Sequence, residues 1–476
     1  PIEFFTEVRG GTAVAPAAEV AAVQRLPSLF PGNPVGTSYL LFIDDFFSLR
    51  GRRDEVLRAV KADLARLGPE DRMAVVRYDG RRLDSLSSWS RDAGELARSL
   101  DGALQRSAHG IERLAELASY DSSANATLEA LAPPPPSDLQ GASGSTEKDF
   151  RPGFSAGRVP LLAIPTAQRL LDQERDAVDA AAAALCAFAS PPGRKVLLLL
   201  EGGWPLEPQD YVTNVNRGPL VRREVEGGEE LFRPLVDTAN RLGYTIYPID
   251  VPGIQELSGR QEQLVETLEF AAAETGGRTL QGDSRGTPLA SAAADTRSYY
   301  WLGFTPTWKG NDKRHKIEIT AARPGLRVRS RGDFLDLSRR AEVSNQVESA
   351  MLFGGSSLGG PEMKLQLGQA RKSKRNQMEV PLTLAIPVTA VTPVETQGEY
   401  VTELEVRVAA RDKNGDRSDV PVIPVRFKTK KAPAGDHYFK YETTLALRRI
   451  QQHVVFAVYD PLSQRITTIE TDVEAP

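Results

Sequence analysis

Three apolar runs in the first half of the chain each end on an acid: Tyr39-Leu-Leu-Phe-Ile-Asp44, Lys195-Val-Leu-Leu-Leu-Leu-Glu201 and Tyr244-Thr-Ile-Tyr-Pro-Ile-Asp250. Runs without alternation predict strands buried on both faces, as in a parallel sheet covered by helices. An acid at the end of such a strand lies at the rim where doubly wound sheets bind ligands. Helical patterns separate the runs. Asp54 to Leu67 puts Val56, Leu57, Val60, Leu64 and Leu67 on one face, and Gly68-Pro69 stops it. Met73 to Tyr78 predicts a second strand closed by Asp79-Gly80, and Leu83 to Trp89 an antiparallel edge strand. Further helices are predicted over Thr166 to Ala189, Glu229 to Leu242 with Gly243 as its stop, and Gln261 to Glu274 before Gly276-Gly277.

From Ser298 the pattern turns to antiparallel β. Tyr299 to Phe304 predicts a strand, and His315 to Thr320 with Gly325 to Arg331 a hairpin turned near Arg323-Pro-Gly. A linker helix over Ala341 to Phe353 precedes regular short strands, of which Val401-Thr-Glu-Leu-Glu-Val-Arg-Val alternates with period two. Such strands argue for an Ig-like β-sandwich of roughly 110 residues. The short piece Ile2 to Val8 is strand-like and isolated in sequence. Four units result: 1–38 as N-terminal strand and linker, 39–297 as the α/β domain with a flexible insertion at about 105–165, 298–340 as a β extension, and 341–476 as the sandwich.

A chain of 476 residues exceeds one ordinary core, consistent with that division. A net charge of −4 gives no reason to expect nucleic acid or an anionic membrane as the main partner. No apolar run reaches the roughly 20 residues needed to cross a bilayer. Pro1 in place of Met predicts a processed chain, so a secretory signal is expected to have been removed. Cys186 is the single cysteine and sits in an alanine-rich helix, where a buried core thiol is the expected reading; an internal disulfide and multi-cysteine metal sites are excluded.

Asp44 with its strand, Gly193-Arg-Lys-Val-Leu-Leu-Leu-Leu-Glu-Gly-Gly203 and Asn240-Arg-Leu-Gly-Tyr-Thr-Ile-Tyr-Pro-Ile-Asp250 together resemble the von Willebrand factor A-type domain, and more narrowly the bacterial VWFA-related proteins. Glu274-Thr-Gly-Gly-Arg278, Tyr299-Tyr-Trp-Leu-Gly-Phe-Thr-Pro306, His315-Lys-Ile-Glu-Ile and Arg323-Pro-Gly-Leu-Arg-Val-Arg329 extend the resemblance, which runs from about residue 2 to the C-terminus. It implies an A-type, Rossmann-like doubly wound domain with a β-hairpin extension, followed by the all-β sandwich. It also implies export, to the extracellular space, the cell surface or the periplasm. Most relatives of this kind have no assigned activity.

Many A-type domains hold a divalent cation at the sheet crest through Asp-x-Ser-x-Ser, a distant Thr and a distant Asp, with one position open to a partner's acid. Matched from Asp44, this chain has Phe46 and Ser48, and Glu201 stands where the second acid would be. Asp44, Ser48 and Glu201 are thus the ligands of a degenerate site for Mg²⁺ or a similar ion. Asp45 is a substitute ligand, and Thr127 and Thr166 are both open as the threonine. Phenylalanine supplies no oxygen, so the favoured expectation is no metal, with the acids capping helices.

Other signals favour structural readings. Asp412-Lys-Asn-Gly-Asp416 begins like a calcium loop, but Arg417 and Ile423 replace its sixth-position Gly and twelfth-position Glu, and Asn414-Gly415 is a hairpin signal. His109, His315, His437 and His453 lack zinc spacing. Arg327, Arg329 and Arg331 form a period-two basic row that reads as a solvated strand face ahead of a polyanion site. No nucleophile elbow, Walker loop or dinucleotide fingerprint occurs. The expected function is therefore exported, non-enzymatic protein–protein interaction or adhesion, with a partner bound at the crest by Asp44, Asp45, Ser48, Glu201 and Asp250. The alternative is a structural subunit of a filament or surface layer joined through the edge piece at residues 2–8. A metal-dependent hydrolase ranks last.

Overall fold

The computed structural model describes residues 2–14, 31–113, 115–116, 163–190, 193–204, 228–251, 261–280, 287–353, 362–373, 376–412, 417–418, 420–433, 435 and 437–476; the side chains of 163–167, 250 and 261–266 are not among them. The chain opens with β1 (Phe4–Arg9) and β2 (Thr12–Val14), then enters an α/β unit. Its strands are β3 (Thr37–Asp44), β4 (Arg72–Tyr78), β5 (Leu83–Ser90), β6 (Arg194–Glu201) and β7 (Tyr244–Asp250). They form one sheet in the order β5-β4-β3-β6-β7, parallel except for β5 at the edge. The chain reverses direction of growth between β3 and β6, which are neighbours, as the A-type resemblance implies.

Period two explains the absence of alternation in these runs. Leu40 and Phe42 of β3, Ala74, Val76 and Tyr78 of β4, and Leu197 and Leu199 of β6 enter one core. Tyr39, Leu41 and Ile43, Met73 and Val75, and Val196, Leu198 and Leu200 enter the other. Each face is roofed by helices, so both parities must be apolar. On the second side lie α1 (Arg50–Asp63) and α2 (Ala93–Leu104). On the first lie α3 (Ala163–Ala187) and α4 (Arg233–Leu242). Two more helices, α5 (Gln261–Thr275) and α6 (Pro288–Thr296), complete the layers. Among the described residues no helix is long and apolar enough to cross a membrane.

The β extension departs from expectation twice. β8 (Tyr299–Gly303) pairs with β1 in register Phe4↔Gly303, and β2 pairs with the other side of β1. The N-terminal piece is therefore consumed within its own chain and is not an open edge awaiting a neighbour. The hairpin is also displaced: β9 (Lys313–Lys316) pairs with β10 (Asp333–Asp336), and residues 318–331 between them make no ladder. The basic row is drawn away from pairing, because Arg329 bonds Asp295 at 2.7 Å and Arg331 reaches the turn at Gly243.

α7 (Arg339–Leu352) leads into the C-terminal strands, starting two residues before the expected helix. One sheet holds β11 (Lys364–Leu367), β12 (Arg371–Lys372), β13 (Gln377–Pro387) and, later in the chain, a strand pairing with β13. The other is built from β14 (Val394–Thr396), β15 (Glu399–Asp412) and β16 (Val422–Thr429). The remaining strands are β17 (Tyr438–Arg448), which is β13's partner, and β18 (Gln452–Asp460) and β19 (Arg465–Val473), which extend the second sheet. Met378, Val380, Leu382, Leu384 and Ile386 face Leu404, Val406, Val408, Val454 and Phe456 in one core, so the two sheets form a sandwich. α7 covers the outer side of the second sheet with Val343, Val347, Ala350 and Met351 against Ala409, Val455, Ala457 and Tyr459. Arg417 fastens the sandwich to α3 through Asp176 at 2.6 Å and Asp179 at 2.7 Å. The calcium-like stretch at 413–416 lies outside the described residues, as do 117–162 of the insertion.

Candidate functional site

The crest is the loop rim at the C-terminal ends of β3 and β6. Asp44 ends β3 on the side of the sheet that faces α3, and it is fully buried. Its Oδ1 accepts the backbone N–H groups of Phe46 at 2.9 Å and Phe47 at 3.3 Å. Its Oδ2 accepts the indole N–H of Trp204 at 2.7 Å. Asp44 thereby caps its own loop and ties it to the turn after β6. Burial pushes its pKa up to about 7, against the pull of those three donors.

Asp45 points the other way. Its carboxylate is held between Arg53 at 2.6 Å and Arg77, and all three side chains are buried. Arg53 also bonds Asp54 and the carbonyl of Arg106. Arg77 bonds Asp84 at 2.8 Å and the carbonyl of Ser107. The network ties α1, β4, β5 and the end of α2's loop to one carboxylate. α1 begins at Arg50, four residues before the apolar pattern starts, because this ionic contact holds its first turn.

Ser48 is fully buried, and its Oγ has no hydrogen-bond partner among the described residues. Two glycines close over it. A Cβ on Gly202 would fall 2.4 Å from Ser48 Cα, and one on Gly110 would fall 2.6 Å from its carbonyl oxygen. The lid is pinned by His109 N–H to the Asp45 carbonyl at 2.7 Å and Gly110 N–H to the Ser48 carbonyl at 3.1 Å. Glu201 is fully buried, and its Oε2 accepts the Gly203 N–H at 2.7 Å. Asp250 stands opposite Glu201 in the ladder, and its side chain lies outside the described residues.

One member of the site was not singled out by its sequence. Glu174 of α3 is fully buried, with neither carboxyl oxygen hydrogen-bonded among the described residues. Burial first, and the Glu201 carboxylate second, hold its pKa well above the ordinary value. Its helical neighbours at three and four residues, Leu170, Leu171, Ala177 and Val178, are all core. That spacing was the available signal: an acid in the middle of an apolar face.

Asp44, Asp45 and Glu201 therefore point inward, and what faces solvent is different. Ile111 is 68% exposed on the lid. Arg113 lies over the Phe46 ring, 4.6 Å from its centroid. Phe46 in turn packs on Phe47 and fills the space above Gly80, where a Cβ would fall 2.2 Å from the ring. Cys186 is half-buried rather than core, with its Sγ 3.6 Å from Arg241, and burial pushes its thiol up.

This donor set does not fit a divalent cation. Asp44 spends both oxygens on three N–H donors, Phe46 occupies the second ligand's place, and an octahedral ion would need several more oxygens. Among the described residues no three His, Cys, Asp or Glu side chains are grouped as ligands. Thr127 lies outside the described residues, and so does the side chain of Thr166. Thermal unfolding is expected to be the same in EDTA and in millimolar Mg²⁺, Mn²⁺ or Ca²⁺; a rise with metal that Asp44→Ala abolishes would reverse this reading.

No family model matches the chain, and no characterised protein matches it in sequence. Similar solved structures include a variant of the PilB minor pilin from Streptococcus sanguinis, at 12% identity over 58% of this chain and 64% of that one, with a TM-score of 0.29. The N-terminal domain of TFIIH p34 is 12% identical over 54% of this chain and 97% of that one, TM-score 0.21. The pilus adhesin SpaC from Lactobacillus rhamnosus GG is 9% identical over 92% of this chain and 57% of that one, TM-score 0.28. The chain thus spans less than two thirds of the pilin and of the adhesin. At these scores none of the three assigns a family or a role.

Proposed function

We propose that this chain is an exported, non-enzymatic interaction protein of the adhesion type, in which an A-type domain presents its crest to a protein partner outside the cell or at its surface. What supports the reading is the division of labour at the crest. The carboxylates of Asp44, Asp45 and Glu201 are spent on holding the loops, while Ile111 stands outward on a lid that the backbone carbonyls of Asp45 and Ser48 fix. An exposed aliphatic side chain on a braced lid suits protein contact, since a rigid anchor loses little entropy on binding. Ile111 is then the contact residue, and the crest carboxylates with the Ser48 backbone act by positioning it.

A photo-crosslinking amino acid placed at 111, with the same group at the exposed Lys430 just past the end of β16 as control, tests this on cells of the source organism. A protein adduct formed at 111 and absent at 430 is the expected result. Identical labelling from both positions would overturn the crest assignment.

A further inference from the structure

The second observation concerns two strand edges far from the crest, and it does not rest on the crest reading. β9 is paired on one side only among the described residues, with β10, and all four of its residues are exposed. Their sequence is Lys313-Arg-His-Lys316. Arg314 is taken by Asp237 at 2.8 Å and Asp333 at 3.3 Å, while Lys313 and Lys316 make no ion pair among the described residues. Beyond β9 the alternation continues into Ile319, which is 38% exposed, and Phe304 and Trp308 flank the ribbon's Phe334. The ribbon therefore has a basic open edge and an apolar face.

β19 is a second open edge among the described residues. It closes one end of the second sandwich sheet, pairs with β18 through nine residues, and has no strand on its far side among the described residues. Glu470, Asp472 and Glu474 recur at period two, so they share one face. His453 meets Glu470 at 3.3 Å and Asp472 at 2.9 Å, leaving Asp472 still 68% exposed.

We propose that the open edge of β9 in one copy pairs with the open edge of β19 in the next, joining copies of this chain head to tail. An unpaired edge is a template for strand addition, and a sequence that leaves one exposed must control what adds to it. Charge provides the control. Two β9 edges would set lysines against lysines, and two β19 edges would set acids against acids, both unfavourable across a strand pair. Lys313 and Lys316 project to opposite faces of β9, so the mixed pairing sets one of them beside the acid face of β19 and opposes no like charges. Because the two edges are different surfaces, the contact is heterologous and extends copy by copy unless rotation closes it into a ring.

Sedimentation velocity of the full chain over a range of concentrations tests the proposal, with two charge-reversed proteins. One carries Lys313→Glu and Lys316→Glu, the other Glu470→Lys and Asp472→Lys. Wild type is expected to form species beyond the dimer that shrink as salt rises, because exposed ion pairs are screened. Each reversed protein alone is expected to stay monomeric, since both of its edges then carry one sign. Mixed in equal amounts, the two should assemble again, alternating along the chain, which misfolded variants would not do. A monomeric wild type at all concentrations, a closed dimer indifferent to the reversals, or a mixture that stays monomeric would each overturn it. The crosslinking result at residue 111 is independent of all three.

Discussion

Asp45→Ala is expected to lower the free energy of unfolding by about 3–5 kcal/mol, among the largest effects available to one substitution here. The reason is what it leaves behind. Arg53 is completely buried and Arg77 nearly so, and both lose the charge-assisted hydrogen bonds to the carboxylate they share, keeping Asp54 and Asp84 respectively. Burial of the network is costly in itself, so the intact one is weak evidence of net stabilisation, while a broken one leaves buried guanidinium N–H groups without their acceptor. Urea unfolding of Asp45→Ala, Arg53→Met and the double variant would measure it. The double variant should lose clearly less than the sum of the singles. A loss below about 1 kcal/mol in Asp45→Ala, the range of exposed pairs, would mean that water reaches the guanidiniums.

Glu174→Met is expected to stabilise the protein, and increasingly so as pH rises. The carboxyl is buried without a hydrogen bond, which costs about 1–3 kcal/mol even when neutral. The sign of the pH effect follows from its raised pKa. Above the ordinary value of 4.5 the unfolded chain releases this proton while the folded chain keeps it. Stability is therefore lost as pH climbs from there toward the folded pKa, and below it the group is neutral in both states. Asp44 adds the same tendency between 3.8 and about 7. Methionine is close in volume and has no charge to bury. Unfolding midpoints at pH 5, 7 and 8 should show the gap between variant and wild type widening upward, each pH being an assay condition chosen around these windows. A constant gap would show that Glu174 does not titrate against Glu201 in this range.

The parallel sheet was legible because its signal is local. A strand buried on both faces needs two apolar parities, and β3, β6 and β7 display them with an acid at each end. The edge strand β5 and the alternating strands of the sandwich were readable for the same reason. Polar burial was not. Arg50 to Arg53 carry no amphipathic pattern, and only Asp45, distant in the apolar logic, explains why a helix begins there. The hairpin went astray because Arg329 and Arg331 imitate a strand face but answer to Asp295 and to the turn at Gly243. At the crest, the acids were identified and their direction was not. An Asp after a strand reads the same whether it faces solvent or Trp204, and a partner 160 residues away leaves no local trace.

The pairing of β1 with β8 sets an order on how this protein can be made. Phe4 cannot meet Gly303 until nearly three hundred intervening residues have been synthesised, so β1 leaves the ribosome long before the strand it docks on. Until then the side of β1 that β8 covers has exposed backbone, while β2 can pair with the other side at once, in a chain whose synthesis takes many seconds. A factor that holds extended segments open during synthesis would find a place to bind along that uncovered side.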